Sequence, residues 1–181
     1  DYHPLNYSIN IPEVIVHSSN IGSAKIAEKF GPFIQLKYLK SLGLMDKLSL
    51  ELPEIGKPQV RTDKKLLTTM TISYGHGIAI TPAHLASATA TIVNDGIRVD
   101  PTLLISKSSK INNRIFSNKT SETMRSIMRL VVSNKNGTAK QAEASGYLIG
   151  GKTGTAEKVN PAGGYFKKQN LVAFTSAFPM N

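Results

Sequence analysis

Residues 146–178 read GYLIGGKTGTAEKVNPAGGYFKKQNLVAFTSAF, and this stretch decides the fold of the carboxyl-terminal part of the chain. Tyr147 to Lys158 is rich in β-forming residues and glycine, and Asn170 to Phe178 has the composition of a strand. The turn-forming sequence NPAGG, at 160–164, lies between them. The sequence therefore predicts a β-hairpin.

Upstream of the hairpin the sequence predicts helices. Asn10 can cap a first helix, with Pro12 in its first turn and Glu13 completing a capping box. A second helix ends at Gly31-Pro32, and a third covers 32–43. One face of the second helix is expected to carry the apolar residues Ile21, Ala24, Ile26, Ala27 and Phe30.

Two further helices are predicted beyond an irregular segment at 44–65. One begins at Thr81-Pro82 and runs to about Asn94, and its many alanines suit a closely packed central helix. The other covers 117–133, after an extended or looped segment at 97–116. Its apolar residues repeat with helical spacing at Met124, Ile127, Met128 and Val131. Helices followed by strands predict an α+β fold.

The composition bounds the function. The chain has 181 residues, a net charge of +10 and no cysteine, which excludes disulfides and thiolate metal sites. Its lysines are dispersed, with no basic stripe and no set of stacking aromatics, so a nucleic-acid partner is not expected. The four histidines show no metal-ligand spacing, and no metal or organic cofactor is expected.

The segment from Gly146 to Thr153 matches the phosphate-loop pattern G-x-x-x-x-G-K-[ST]. A phosphate loop follows a strand and opens a helix, because backbone amides at the helix amino terminus must converge on the phosphates. Here Tyr147, Leu148 and Ile149 belong in a strand, and a turn cluster follows instead of a helix. The sequence therefore favours a strand at the edge of a substrate cleft over a nucleotide site.

Two short motifs indicate such a cleft. Ser18-Ser19-Asn20 lies where one predicted helix gives way to the next, and Lys152-Thr153-Gly154-Thr155 lies in the first strand of the hairpin. Motifs of both types line acyl-transfer sites for β-lactams and for peptides that end in D-alanine. Each motif also has a plainer interpretation, since Asn20 could cap a helix and Lys152 could be an exposed lysine on a surface hairpin.

The motifs, together with Ser73-Tyr74-Gly75-His76-Gly77, Thr81-Pro82 and Asp95-Gly96, resemble those of class B penicillin-binding proteins. The chain resembles the division branch of these membrane-anchored transpeptidases of the bacterial cell envelope. The resemblance implies a helical subdomain with part of an antiparallel sheet, as in β-lactamases and transpeptidases. It also implies peptidoglycan cross-linking by acyl transfer from D-alanyl-D-alanine stem peptides.

The resemblance also implies roles for individual residues. Ser18 would exchange a proton with the catalytic lysine, and Asn20 would hydrogen-bond the acyl amide of the substrate. Lys152, Thr153 and Thr155 would bind the substrate carboxylate and the oxyanion, while Gly154 would permit close approach. His76 is interpreted as a residue of the cleft rim or of a loop.

The family's nucleophile is the serine of a Ser-x-x-Lys motif, and no lysine of this chain has a serine three residues before it. We interpret residues 1–181 as a partial transpeptidase domain whose nucleophile lies upstream and whose last strand and helix lie downstream. The fragment itself is then expected to be inactive. Its incomplete sheet is expected to associate with other copies through the exposed strand edge.

The expected partners of the parent protein are stem peptides, β-lactam antibiotics and membrane proteins of cell division. Its expected location is the inner membrane, with the catalytic domain on the periplasmic side. One alternative is a non-catalytic scaffold or β-lactam-sensing module with the same fold. A β-lactamase or carboxypeptidase is another, although no glutamate-bearing loop of the class A kind is evident.

Overall fold

A computed structural model describes residues 5–105 and 113–180. In the described residues as far as Ser133, helices are the main regular structure, and a long hairpin follows. In chain order the elements are α1 (Ile11–Val16), α2 (Asn20–Ser41), β1 (Gln59–Val60), α3 (Leu66–Ile72), β2 (Ile78–Ala79), α4 (Pro82–Val93), α5 (Asn118–Ser133), a 3₁₀ turn (Lys140–Ala142), β3 (Gly150–Val159) and β4 (Tyr165–Ala177).

The start of α1 is capped as the sequence predicts. The Asn10 side chain accepts a hydrogen bond from the Glu13 amide at 3.0 Å. The Glu13 carboxylate in turn accepts one from the Asn10 amide at 2.8 Å. This reciprocal pair satisfies two amide donors that the first helical turn would otherwise leave without partners.

The second and third predicted helices are the two halves of α2. Gly31 separates them with a φ of 74°, a left-handed conformation that favours glycine, and Pro32 follows inside the helix. The apolar face of the first half is only partly buried. Ala24 and Ala27 are buried, but Ile21 is 50% and Phe30 57% exposed.

The middle of the chain contains structure that the sequence did not reveal. The segment predicted as irregular includes β1, which pairs in antiparallel fashion with β2. Helix α3 was not predicted, and it packs against α2, where the Gln35 side chain donates a hydrogen bond to the Thr69 carbonyl at 2.9 Å. Two-residue strands and a seven-residue helix are too short for hydrophobic periodicity to identify.

Helix α4 occupies its predicted position, with Thr81 as the N-cap and Asn94 at the end. The expectation that its alanines pack closely is only partly correct, because Ala88 is buried whereas Ala86 and Ala90 are exposed. Its buried side chains are mostly polar and include His84, Ser87, Thr89 and Thr91. Burial of these side chains is tolerated because hydrogen bonds satisfy them, as between Thr91 Oγ1 and the Ser87 carbonyl at 2.9 Å.

The predicted hairpin is present, with β3 and β4 antiparallel and Lys152 opposite Thr175. The first strand begins at Gly150 rather than Tyr147, and the second begins at Tyr165 rather than Asn170. Helix α5 begins after its cap, Ser117, and packs on β3. The predicted loop at 97–116 lies partly outside the described residues.

A small core joins the amino-terminal helix to the hairpin. Val16 of α1, Val131 and Val132 of α5, and Ala139 form a buried cluster, and Ile149 packs against it. The chain therefore has the predicted α+β fold. Among the described residues, no helix combines the length and apolar character that crossing a membrane requires.

Candidate active site

The Ser18-Ser19-Asn20 motif forms the junction between α1 and α2. Ser19, not Asn20, is the N-cap of α2, and its hydroxyl accepts a hydrogen bond from the Gly22 amide at 3.0 Å. Asn20 is the first residue of the helix and is exposed. The capping interpretation of Asn20 is therefore wrong, and capping is assigned to the neighbouring serine.

Ser18 has a φ of 54°, in the left-handed region that non-glycine residues seldom occupy. Its backbone amide donates to the Ile15 carbonyl at 3.2 Å, and the Ser19 amide donates to the Val14 carbonyl at 2.9 Å. These bonds hold the turn against the end of α1. They leave the Ser18 side chain exposed.

The structure brings the two motifs together. The Lys152 ammonium group donates a hydrogen bond to Ser18 Oγ at 2.6 Å, although the residues are 134 positions apart in the chain. It also donates to the Thr153 carbonyl at 2.9 Å. Burial lowers the pKa of Lys152 below its ordinary value, because a buried ammonium loses hydration. A lysine of this kind releases its proton more readily and can exchange it with a neighbouring hydroxyl.

Two glycines place β3 against the rest of the chain. A Cβ on Gly151 would lie 2.4 Å from the Thr175 carbonyl oxygen. A Cβ on Gly150 would lie 2.8 Å from the Met180 side chain and 2.9 Å from the backbone nitrogen of Arg129. Both glycines therefore serve packing within the chain, since Gly151 admits the backbone of β4 and Gly150 that of α5. Gly154 differs, because a Cβ there would meet nothing within 4 Å.

The hydroxyl groups of the strand lie on the same stretch of β3. Thr153 Oγ1 donates a hydrogen bond to Thr138 Oγ1 at 3.0 Å. Thr155 is exposed and pairs with Val172 of β4. Thr138 was not identified from the sequence, since a threonine after an amphipathic helix has no distinctive pattern. Only its contact with Thr153 marks it as part of the site.

His84 takes a structural position and His76 a peripheral one. His84 is buried, with Nδ1 2.7 Å from Thr81 Oγ1 and Nε2 3.0 Å from the Asp46 carbonyl oxygen. His76 is exposed on its loop, with Nδ1 3.4 Å from the Tyr165 hydroxyl. Within residues 5–105 and 113–180, no group of three or more metal-ligating side chains is positioned to hold an ion.

The strand that carries Lys152 continues to Val159 and returns as β4, so no helix follows the phosphate-loop match. The profile of the penicillin-binding protein transpeptidase domain family matches residues 1–181.

The chain belongs to this family.

Known members of the transpeptidase family resemble this chain in sequence and in structure. The probable peptidoglycan D,D-transpeptidase FtsI of Caulobacter vibrioides is 35% identical over 184 residues, covering 99% of this chain and 31% of the relative. The transpeptidase domain of Burkholderia pseudomallei penicillin-binding protein 3 is 30% identical, with a TM-score of 0.86 over 93% of this chain and 51% of that chain. Penicillin-binding protein 3 of Mycobacterium tuberculosis, solved in complex with aztreonam, is 26% identical, with a TM-score of 0.88 over 94% of this chain and 42% of that chain.

These comparisons confirm the class B resemblance and the transpeptidase fold. The chain spans 31% of the Caulobacter relative and 51% of the Burkholderia chain. The family is therefore established for residues 1–181.

Proposed function

We propose that residues 1–181 are part of the transpeptidase domain of a peptidoglycan D,D-transpeptidase of the division type. The observation that carries the proposal is the 2.6 Å hydrogen bond between Lys152 and Ser18. Two motifs that the sequence alone places far apart form one polar site, and that site lies on a fold shared with known transpeptidases. A shared fold without this contact would support the family but not the chemistry.

In the proposed reaction, a serine from a Ser-x-x-Lys segment of the longer protein attacks the carbonyl of the D-alanyl-D-alanine peptide bond. The carbonyl becomes an ester of that serine, and D-alanine leaves with a proton. An amino group of a second stem peptide then attacks the ester, forms the cross-link and releases the serine. β-Lactams would occupy the same site as acylating agents.

The described residues take specific parts in this scheme. Ser18 exchanges a proton with the lysine of the Ser-x-x-Lys segment and helps to protonate the leaving amine. The lowered pKa of Lys152 favours proton exchange in the same group of side chains. Asn20 hydrogen-bonds the acyl amide. Thr153 binds the substrate carboxylate, and the Thr155 amide contributes to the oxyanion site.

The outer edge of β3 is suited to a peptide-like substrate. In the described part of the chain, β3 pairs only with β4, and a Cβ on Gly154 would meet no atom within 4 Å. An extended stem peptide can therefore pair along this edge as an additional strand. The parent protein is placed, in this proposal, in the inner membrane with its domain on the periplasmic side and with cell-division membrane proteins as partners.

Penicillin labelling tests the proposal. The 181-residue chain is incubated with a fluorescent penicillin beside a version extended upstream through the Ser-x-x-Lys segment. We expect a covalent band on the extended protein alone, because only that protein would supply a nucleophile. In the extended protein, Lys152→Ala should lower the labelling rate about 100-fold, the scale for loss of one group that stabilises developing charge.

Two results would contradict the proposal. A band on the 181-residue chain would show that its acyl acceptor lies within these residues. An extended protein that binds penicillin but forms no covalent adduct would instead support the β-lactam-sensing module.

A further inference from the structure

Helix α5 is the common support of both halves of the candidate site. Its residues Val131 and Val132 pack on Val16, two positions before Ser18. On the other side, α5 lies against β3, which carries Lys152. The distance between Ser18 and Lys152 therefore depends on how the start of β3 is held against α5.

One side chain of α5 makes that attachment through three hydrogen bonds. Arg129 Nη1 donates to the Ile149 carbonyl at 2.9 Å and to Glu143 Oε2 at 2.7 Å. Its Nη2 donates to Glu143 Oε1 at 2.7 Å, which makes the carboxylate contact bidentate. Glu143 follows the 3₁₀ turn, and Ile149 directly precedes β3, so one guanidinium joins three segments.

Global stability is a small part of what this ion pair does. The Arg129 side chain is 23% exposed and that of Glu143 42% exposed, and ion pairs with this much solvent contact contribute little to the stability of a protein. Hydrogen bonding from Arg129 nevertheless lowers the pKa of Glu143, which keeps the carboxylate charged. The main effect of the Arg129–Glu143 contact is therefore on the position of β3, which begins directly after Ile149.

The residues between Ile149 and Lys152 are Gly150 and Gly151, which pack closely against the backbones of α5 and β4. Gly150 lies directly on α5, since a Cβ there would be 2.9 Å from the backbone nitrogen of Arg129. A shift of the backbone at Ile149 therefore reaches Lys152 with little to absorb it. The Ser18 hydrogen bond tolerates displacement poorly, because such contacts are confined to donor–acceptor distances of up to about 3.2 Å and to near-linear angles.

We propose that Arg129 is a positioning residue for the acyl-transfer site, and that it sets the place of Lys152 relative to Ser18 by holding the Ile149 carbonyl and Glu143. This inference rests on the proposed function.

Arg125 is a matched control on the same helix. Its guanidinium donates to the Val93 carbonyl at 2.8 Å and to Asp95 Oδ1 at 3.0 Å, so it also combines one carbonyl with one carboxylate. These partners lie at the end of α4 and just beyond it. Arg125 therefore has the same chemistry as Arg129 without a connection to β3.

The experiment compares Arg129→Met with Arg125→Met in the protein extended through its Ser-x-x-Lys segment. We measure the rate constant of acylation at saturating fluorescent penicillin, together with the melting temperature. Arg129→Met is expected to lower the rate constant about 10-fold or more, since a misplacement of about 1 Å can cost up to 100-fold. Arg125→Met is expected to change it less than about 2-fold at a similar loss of melting temperature.

Glu143→Gln provides a milder variant that retains the Arg129–Ile149 bond. We expect it to acylate faster than Arg129→Met, because the Ile149 carbonyl is still held by Arg129. Equal acylation rates for Arg129→Met and Arg125→Met would overturn the inference while leaving the proposed function intact.

If the extended wild-type protein is not acylated, the proposed function is wrong. Hydrogen exchange then tests separately whether Arg129 holds the strand. Arg129→Met should then speed amide exchange in peptides that cover Gly150–Thr155, and Arg125→Met should not. Unchanged exchange in both variants would exclude a role for Arg129 in holding the strand.

Discussion

Ser18 combines an unfavourable backbone conformation with a hydrogen bond from Lys152. The left-handed region costs a residue with a Cβ roughly 1–2 kcal/mol, and glycine avoids this cost. The turn tolerates Ser18 there because its amide bonds to Ile15 and the next amide bonds to Val14. Strain of this kind is characteristic of functional positions, where the surrounding structure determines the conformation.

A pair of substitutions separates the strain from the chemistry. Ser18→Gly and Ser18→Ala both remove the hydroxyl that accepts from Lys152, but only glycine relieves the φ of 54°. We expect the glycine variant to be more stable by about 1 kcal/mol in urea unfolding of the extended protein. Both variants should lose penicillin acylation to a similar extent.

Lys64 is the control, because it also has a positive φ, 55°, and its ammonium group lies 5.1 Å from the centre of the Phe33 ring. Lys64→Gly should exceed Lys64→Ala in stability by a similar amount while acylation stays unchanged. An alanine variant at position 18 as stable as the glycine variant would show that the turn stores no strain.

At the scale of elements, the two serines of the Ser-Ser-Asn motif have different roles. The Ser19 hydroxyl caps α2, whereas the Ser18 hydroxyl contacts Lys152. Because the two serines are adjacent, the capped helix end fixes the direction from which Ser18 reaches the strand. Helix capping and the candidate chemistry are therefore complementary uses of one motif.

Ser19→Ala tests this division. Loss of an N-cap serine costs about 0.5–2 kcal/mol, and we expect a loss of unfolding free energy in that range. Ser117→Ala is the matched control, since the Ser117 hydroxyl caps α5 by accepting from the Thr120 amide at 3.1 Å. Both variants should lose similar stability, but only Ser19→Ala should slow acylation. Equal acylation by the two variants would argue that the cap does not orient Ser18.

At the scale of the whole molecule, the hairpin exposes apolar side chains on both faces. Leu171 and Val172 are neighbours on β4, and they are 71% and 70% exposed. Successive residues of a strand point to opposite faces, so neither face is covered at this position. An exposed apolar strand is a template for pairing with another chain.

We therefore expect the 181-residue chain to self-associate. Light scattering should show a molar mass that rises with concentration from that of the 19.6 kDa monomer. Val172→Lys should reduce the association, because a charge on an exposed strand opposes pairing. A constant monomer mass across the concentration range would contradict this expectation.

Local sequence was sufficient for much of the fold. The Asn10 cap, the Thr81 and Ser117 helix starts and the turn at 160–164 depend on hydrogen bonds or backbone conformations that span only a few residues. The motif pair also indicated the family, because residue types at short spacing are visible in one dimension. The exposure of Ile21 and Phe30 was not predictable in this way, since hydrophobic periodicity identifies an apolar face but not the element that covers it.

What only the tertiary structure decided is the arrangement across the site. The 2.6 Å contact of Lys152 with Ser18, the Thr138–Thr153 bond and the Arg129 attachment each join different segments of the chain. Such contacts depend on how α5 packs against both α1 and β3, through a core whose members are scattered along the chain. The sequence determined which side chains were available for the chemistry. Packing determined which of them meet, because distance in space is set by long-range contacts that short patterns do not encode.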